Sequence, residues 1–163
     1  MKIYIFAVGG TIDKIYFDKL SQYTVGPPGV KEILDDLPVT FDYSITSLMR
    51  KDSLDMTDDD RLLIKSAVDA CPNSKILITH GTDTMIETAR CLDACQGKSI
   101  VLTGALEPSG FKSSDAVFNI GFSLGVLTMA GEGVYIAMNG LVFNPFNVVK
   151  NREKGCFEYT DSL

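Results

Sequence analysis

Short apolar runs alternate with segments of helical spacing along most of this chain. Four such runs are residues 3–8, 75–79, 99–103 and 133–138. Continuous apolar runs of this length are typical of strands that are buried on both faces of a sheet. The segments between them carry apolar residues three and four positions apart, as helices covering a sheet do. We therefore expect an α/β fold with three layers: a mainly parallel sheet of about five strands, in flavodoxin-like or Rossmann-like order, with helices on both faces.

Local patterns predict the remaining elements. Residues 30–37 are predicted to form a short helix, and the alternation of residues 41–47 predicts a further strand. Thr57 is followed by three aspartates, which favours a helix start because hydroxyls cap helices and acids stabilise their positive ends. Residues 84–87 match the capping-box pattern, which predicts another helix start. Ser113 or Ser114 is expected to cap a long helix that runs to about Met129.

Two stretches lack clear periodicity. Residues 10–27 are polar and rich in turns. Because long loops of this kind in compact domains are often lids, we expect a flexible lid over about residues 12–27. Residues 140–163 are also expected to be less regular. The absence of an internal linker predicts a single domain that spans residues 1–163.

Charge and hydropathy argue against two classes of partner. Fifteen Lys and Arg residues stand against 21 Asp and Glu residues, a net charge of −6, whereas nucleic-acid binders concentrate positive charge. No run of about 18 apolar residues is present, and the start of the chain does not resemble a signal peptide. We therefore expect a cytoplasmic protein that binds neither nucleic acid nor membrane.

The cysteines do not follow a metal-binding pattern. They are Cys71, Cys91, Cys95 and Cys156. They include no Cys-x-x-Cys pair, and His80 is the only histidine. We expect reduced structural thiols and no metal site. Gly9-Gly10 lacks the rest of the dinucleotide-binding glycine pattern, so a nucleotide cofactor is not expected.

Hydroxyl and carboxylate side chains are expected to meet at one edge of the sheet. Thr11 follows the first strand, and Thr82 and Asp83 follow the strand at residues 75–79. In open parallel sheets, ligands bind outside the carboxyl ends of the strands. This arrangement predicts a site with a threonine nucleophile, whose hydroxyl needs a base to take its proton.

The residues alone leave the identity of that base open. Asp83, a neutral lysine or a tyrosinate could serve, whereas His80 is expected to be a packed, structural residue. Lys150 follows an apolar, asparagine-rich stretch, where a desolvated lysine could act as a base. Without further information, a solvated surface lysine is the better interpretation of Lys150.

Longer motifs carry a more specific signal. They are residues 9–12, 23–26, 52–53, 78–85, 103–105, 108–109 and 138–139, with Lys150 beyond. Together these segments resemble the bacterial-type L-asparaginase (asparaginase/glutaminase) family, and they resemble its N-terminal catalytic domain only. The segment at residues 78–85 is the most specific of the matches.

The resemblance implies catalytic roles for five residues. Thr11 would attack the side-chain amide carbon of the substrate to give a β-aspartyl ester. Tyr23, on the lid, would assist Thr11. Thr82, Asp83 and Lys150 would form a second triad that assists proton transfer and activates water. Backbone N–H groups near Thr11 and Thr82 would stabilise the oxyanion.

The resemblance also implies a substrate pocket. Its residues would be Gly10, Ser53, Gly81, Thr82, Asp83 and Ala105. Ser53 and Asp83 would hold the α-carboxylate and α-amino groups, and the Ala105 carbonyl would receive the leaving nitrogen. Leu54 departs from the pattern, because many members carry a polar residue there that contacts the substrate. The chain also stops at Leu163, without the second domain that in typical members lends an acidic residue to a neighbouring subunit's site.

These implications predict an amidohydrolase that converts L-asparagine, a small-molecule substrate, into L-aspartate and ammonia without a cofactor. One alternative is hydrolysis of glutamine or of another asparaginyl amide, as on a peptide. A second alternative is a protein that binds aspartate or asparagine without turnover. Because a domain without its second domain leaves apolar surface to cover, we expect a homo-oligomer, either a dimer or a tetramer.

Overall fold

The computed structural model of the protein describes residues 2–17 and 22–160. Its strands are β1 (Lys2–Gly9), β2 (Lys14–Phe17), β3 (Gln22–Val25), β4 (Asp42–Lys51), β5 (Lys75–Thr79), β6 (Ser99–Thr103), β7 (Gly133–Met138), β8 (Leu141–Phe143), β9 (Val148–Asn151) and β10 (Cys156–Tyr159). Its α-helices are α1 (Gly29–Asp35), α2 (Asp58–Ala70), α3 (Met85–Leu92) and α4 (Ala116–Met129). Thr11–Asp13 and Ser53–Asp55 form single 3-10 turns.

Six of these strands form the central sheet, in the order β4-β1-β5-β6-β7-β8. The first five are parallel to one another, and β8 runs antiparallel to β7. Numbered along the chain, the five parallel strands follow the order 2-1-3-4-5, which is the flavodoxin-like arrangement. The predicted α/β fold is therefore confirmed, and β8 adds an antiparallel edge that the sequence did not predict.

Helices cover both faces of the sheet, as predicted. One core packs α2 and α3 against the sheet, and the other packs α1 and α4 against it. Successive strand residues point to opposite faces, so Phe6 of β1 lies in the first core and Ile5 lies in the second. Because each face of the sheet packs against an apolar core, the parallel strands consist of continuous apolar runs.

The stretch expected to be an irregular lid contains a hairpin instead. Strand β2 pairs antiparallel with β3, with Tyr16 opposite Tyr23. Ile15, Tyr16 and Tyr23 are all exposed, so no buried face imposes an alternating pattern on the sequence. Residues 18–21, which join the two strands, lie outside the described residues. The expectation of flexibility stays a prediction.

The stretch after β7 is more regular than expected. Besides β8, it contains the antiparallel hairpin of β9 and β10. Val148 and Phe157 of this hairpin are buried in the core that contains α2 and α3. At the end of β7, Asn139 adopts φ 55° and its Oδ1 accepts the N–H of Phe157 at 3.0 Å, which ties the hairpin to the sheet.

The helix starts only partly follow the sequence patterns. The cap at Thr57 is confirmed, because its hydroxyl and the carboxylate of Asp60 form a capping box. The predicted capping box at residues 84–87 is wrong. The side chain of Thr84 makes no capping bond and donates instead to the carbonyl of Ser53 at 2.8 Å. At α4, Ser114 Oγ accepts the N–H of Ala116 at 3.1 Å, although Asp115 occupies the cap position.

None of the helices in the described ranges combines the length and the apolar character that crossing a bilayer requires.

Candidate active site

The candidate site lies where the strand order of the sheet reverses. Strands β1 and β5 are neighbours, and their connections lead to opposite sides of the sheet, towards β4 and towards β6. Thr11 follows β1 and Thr82 follows β5, so both threonines lie at the same edge of the sheet. Crevices at such switch points are the usual ligand sites of open α/β sheets.

Two glycines let the loops after β1 and β5 approach closely. Gly10 has φ 88°, and a Cβ atom at this position would overlap the backbone of Gly81. A Cβ atom on Gly81 would in turn lie 2.5 Å from Cβ and Oγ of Ser53. Only residues without a side chain fit both positions. The loops that carry Thr11, Thr82 and Ser53 are therefore in contact.

Three bonds hold the turn that carries Ser53. The Asp52 carboxylate accepts the N–H of Leu54 at 3.1 Å and pairs with Lys14 Nζ at 2.6 Å. Thr84 Oγ1 donates to the Ser53 carbonyl. Burial raises the pKa of Asp52, but the bonds from Lys14 and Leu54 outweigh it and leave the pKa below its usual value. Ser53 is buried, and Leu54 beside it is 67% exposed.

Lys150 reaches the site from β9. Its Nζ donates to Thr82 Oγ1 at 2.7 Å and to Asp83 Oδ1 at 2.8 Å. The Lys150 side chain is only 15% exposed, and Thr82 is buried. The interpretation of Lys150 as a solvated surface lysine is therefore wrong. The structure brings together the three residues that the resemblance groups as a triad.

A further cation at the site was missed by the sequence reasoning. Arg152 Nε lies 3.4 Å from Asp83 Oδ1, the same oxygen that Lys150 contacts. Arg152 lies in the turn directly after β9, two positions beyond Lys150. Recognising residues 148–151 as a strand would have placed the turn that carries Arg152 next to Lys150.

Thr11 and Tyr23 are not joined by a hydrogen bond in the described chain. Thr11 is partly exposed in its 3-10 turn. Tyr23 is 51% exposed, and its ring lies 5.5 Å from that of Tyr16 and 6.1 Å from that of Phe111. The hairpin therefore keeps Tyr23 in an aromatic cluster in this conformation.

Ala105 lies in the loop after β6 and is fully buried. Asn119 Nδ2 donates to the carbonyl of the preceding residue, Gly104, at 3.1 Å. After Ala105, the Asp115 carboxylate accepts the N–H of Leu106 at 2.9 Å and that of Glu107 at 3.1 Å. Asn119 of α4 and Asp115 at the cap of that helix therefore hold this loop on both sides of Ala105.

His80 is a packed residue, as expected. It is completely buried, its Nδ1 donates to the Gly81 carbonyl at 2.7 Å, and its Nε2 accepts from Thr88 Oγ1 at 2.8 Å. Burial lowers the pKa of His80 to about 4, so the ring is neutral near pH 7. The imidazole supports the backbone of the loop that carries Thr82.

Asp13 is a buried carboxyl group that the sequence reasoning did not single out. Its Oδ1 accepts the N–H of Gly29 at 2.8 Å, and its carbonyl accepts the N–H of Gly26 at 2.7 Å. Burial raises the pKa of Asp13 to about 7, against the lowering effect of backbone bonds from Gly29 and Gly9. Asp13 thus ties the turn of Thr11 to the base of the β2–β3 hairpin and to α1.

Residues 2–17 and 22–160 bring no three His, Cys, Asp or Glu side chains together as metal ligands. The four cysteines are unbridged.

Comparison with known proteins identifies the family to which the chain belongs. The family model described as Asparaginase, N-terminal, matches residues 2–159. The chain is 34% identical over 163 residues to L-asparaginase 2 of Escherichia coli strain K12, covering 91% of this chain and 46% of that protein. It is 33% identical over 160 residues to the probable periplasmic L-asparaginase of Haemophilus influenzae, with coverage of 91% and 46%.

A solved structure agrees with these matches. The probable cytoplasmic L-asparaginase of Campylobacter jejuni superimposes with a TM-score of 0.83 at 28% identity, covering 98% of this chain and 53% of that one. The chain belongs to the asparaginase family and corresponds to the N-terminal domain of its members. It spans about half the length of the relatives that it matches.

Proposed function

We propose that this protein hydrolyses the side-chain amide of L-asparagine to give L-aspartate and ammonia. The observation that carries the proposal is the contact of Lys150 with both Thr82 and Asp83, next to the loop of Thr11. A lysine that contacts both a hydroxyl and a carboxylate can form a proton relay of the kind that threonine nucleophiles need. Family membership supports the same reaction.

In the proposed first step, Thr11 Oγ1 attacks the amide carbon and loses its proton. A C–O bond forms, the C–N bond breaks, and the nitrogen leaves as ammonia after gaining a proton. Water then attacks the resulting β-aspartyl ester, which releases aspartate and restores the threonine hydroxyl. Thr82 and Lys150 would pass protons in both steps, and backbone N–H groups of the Thr11 and Thr82 loops would stabilise the oxyanion.

Tyr23 would assist Thr11 from a closed position of the lid at residues 12–27. In the observed conformation, Tyr23 packs on Tyr16 and Phe111 and does not hydrogen bond to Thr11. Closure of a lid over substrate commonly completes a catalytic site in this way. The β2–β3 hairpin would then be the moving part.

The substrate would bind against the contact between the three loops. Ser53 and Asp83 would hold the α-carboxylate and α-amino groups, and Gly10 and Gly81 would let the backbone approach the substrate. The Ala105 carbonyl would accept a hydrogen bond from the leaving nitrogen. The two buried hydroxyls, of Ser53 and Thr82, support a pocket that orients a small polar ligand.

A second candidate function is hydrolysis of another asparaginyl amide. Leu54 favours it, because an exposed leucine beside Ser53 offers an apolar surface rather than a further polar contact to a free amino acid. Comparing kcat/KM for free and N-acetylated asparagine separates the two candidates, since specificity lies in that ratio.

We further propose a homo-oligomer located in the cytoplasm. Val117, Phe118 and Met129 on the outer face of α4 are at least half exposed, which supports association through apolar surface. Four unbridged cysteines suit a reducing compartment. Sedimentation analysis of the purified protein tests the assembly.

The decisive experiment measures ammonia release from L-asparagine by the wild type and by Thr11→Ala. We expect release by the wild type and a loss of at least about 10³-fold in the variant, as for removal of a covalent nucleophile. If the wild type released no ammonia from asparagine or glutamine, or if Thr11→Ala left the rate unchanged, the proposal would fail.

A further inference from the structure

A cleft of about 330 Å³ adjoins the candidate site and shares two residues with it. The shared residues are Asp83 and Lys150, and the other charged side chains in its walls are Glu87, Arg90 and Arg152. The cleft lies between α3 and the β9 strand with the turn after it. A substrate whose α-amino side faces Asp83 would continue into this cleft.

Arg90 is held in place at the cleft wall. Its Nε donates to the Pro145 carbonyl at 2.9 Å, and its guanidinium lies 5.7 Å from the centre of the Phe146 ring. Within the described chain, no carboxylate forms an ion pair with Arg90. A guanidinium that is already ordered loses little conformational freedom when it binds an anion.

Arg152 changes what Asp83 can bind. Asp83 Oδ1 already lies 2.8 Å from Lys150 Nζ, and Arg152 Nε lies 3.4 Å from the same oxygen. Two cations thus share one carboxylate, so the ammonium of a free amino acid would have to compete with them. The Arg152 side chain is 70% exposed and can turn towards a ligand in the cleft.

The cleft has a local charge opposite to that of the whole chain. The charges of Lys150 and Asp83 cancel each other. The two positive charges of Arg90 and Arg152 then outnumber the one negative charge of Glu87. The protein as a whole carries a net charge of −6. A positive cleft beside a reaction site concentrates anionic ligands there.

We propose that this cleft binds an anionic group attached to the α-nitrogen of the substrate. The preferred substrate is then an asparagine whose α-nitrogen is acylated by an acidic residue, as at the end of an acidic peptide. An acylated α-nitrogen carries no charge and needs no ion pair with Asp83. The added carboxylate can form ion pairs with Arg90 and Arg152. This inference rests on the proposed amide hydrolysis and narrows its substrate class without changing its bond-breaking steps.

The first test compares N-acetyl-Glu-Asn with the same peptide carrying a γ-methyl ester on its glutamate. We expect kcat/KM for ammonia release to favour the free acid about twofold to fivefold at low salt, the range of partly exposed ion pairs. The preference should shrink towards one at high salt, because salt screens exposed charges. Arg152→Gln should at least halve the preference, and Arg152→Lys, which keeps the charge, should retain most of it.

Lys154→Gln is the matched control for these variants. Lys154 is exposed, pairs with Glu158 and does not line the cleft, so its loss should leave the preference unchanged. Equal kcat/KM for acid and ester in the wild type would overturn the inference. So would a preference that survives Arg152→Gln intact.

A binding test separates this inference from the proposed hydrolysis. Calorimetry with Thr11→Ala gives dissociation constants for both peptides without turnover, and we expect the free acid to bind more tightly by a similar factor. If the wild type released no ammonia but the binding preference remained and depended on Arg152, the hydrolysis proposal would fail and the subsite would stand. If hydrolysis occurred but Thr11→Ala bound both peptides equally, or bound neither, the subsite would be rejected.

Discussion

Lys150 Nζ donates to Thr82 Oγ1 over 2.7 Å, although the two residues are 68 positions apart in the chain. The same ammonium contacts Asp83 at 2.8 Å. Val148 and Phe157 anchor the β9–β10 hairpin in the core, so Lys150 extends from a well-packed support. The hairpin therefore completes a candidate site whose other parts come from the loops after the parallel strands.

Replacing Lys150 with methionine should remove the group placed to exchange a proton with Thr82. Because general acid–base catalysis contributes about 10²–10⁴-fold, kcat for ammonia release from asparagine should fall by a factor in that range. Lys154→Met is the matched control, since Lys154 is an exposed lysine paired with Glu158. It should change kcat by less than about twofold. Equal losses in both variants would contradict the role of Lys150.

Thr84→Val should loosen the turn that carries Ser53. The variant keeps the shape of the side chain but loses the hydrogen bond to the Ser53 carbonyl, worth about 0.5–1.5 kcal/mol. We expect KM for asparagine to rise roughly threefold to tenfold, with a smaller change in kcat. Thr128→Val, which removes an exposed hydroxyl bonded to Gly125, should leave KM unchanged. A loss of stability without a change in KM would instead show that the bond to Ser53 supports the fold and not the substrate site.

Gly81→Ala should separate two of the loops that form the site. The added Cβ would lie 2.5 Å from Cβ and Oγ of Ser53, so the Ser53 turn must move. We expect the free energy of unfolding to fall by about 1–3 kcal/mol and ammonia release to be lost. Gly125→Ala is the control, because its Cβ would meet open space in α4 and should stabilise the protein by up to about 1 kcal/mol. Urea unfolding of both variants gives the comparison.

Asp13→Asn should change how stability depends on pH. The pKa of Asp13 is about 7 in the folded protein, above its ordinary value of 3.8, because the carboxyl group is buried. Its contribution to stability is therefore fully present below about pH 4 and is lost as pH rises through 7. Between about pH 4 and pH 7, the free energy of unfolding of the variant should therefore rise relative to that of the wild type by up to about 1.4 kcal/mol per pH unit. Urea unfolding at several pH values from 4 to 8 measures this difference.

His80 provides an internal check on that experiment. Burial lowers its pKa from 6.5 to about 4, so its contribution is present above pH 6.5 and is lost as pH falls towards 4. Between pH 4 and 6.5, Asp13 and His80 therefore have opposite effects on stability in the wild type. In Asp13→Asn the opposing effect of Asp13 is absent, so the stability of the variant should rise with pH over this range because of His80. If the unfolding free energies of variant and wild type depended on pH in the same way, burial would not be raising the pKa of Asp13.

Some elements were predictable because their signal is local. Strands β5, β6 and β7 have the predicted bounds, since a strand buried on both faces needs an unbroken apolar run. The β2–β3 hairpin was missed because Tyr16 and Tyr23 are exposed and leave no alternation to detect. Arg152 was missed because β9 and the turn after it lie in a stretch that looked irregular.

Sequence patterns alone were enough to predict the α/β class of the fold and to put Thr11 and Thr82 at the ends of strands. Both conclusions depend on the spacing of apolar residues within single elements. The partners of Thr84 and Lys150 follow from the packing of the folded chain and not from any local pattern. Their bonds to Ser53 and Thr82 join residues 31 and 68 positions apart, and such bonds depend on how whole elements pack. A local pattern can therefore locate a candidate side chain, whereas its chemistry depends on neighbours that the packing supplies.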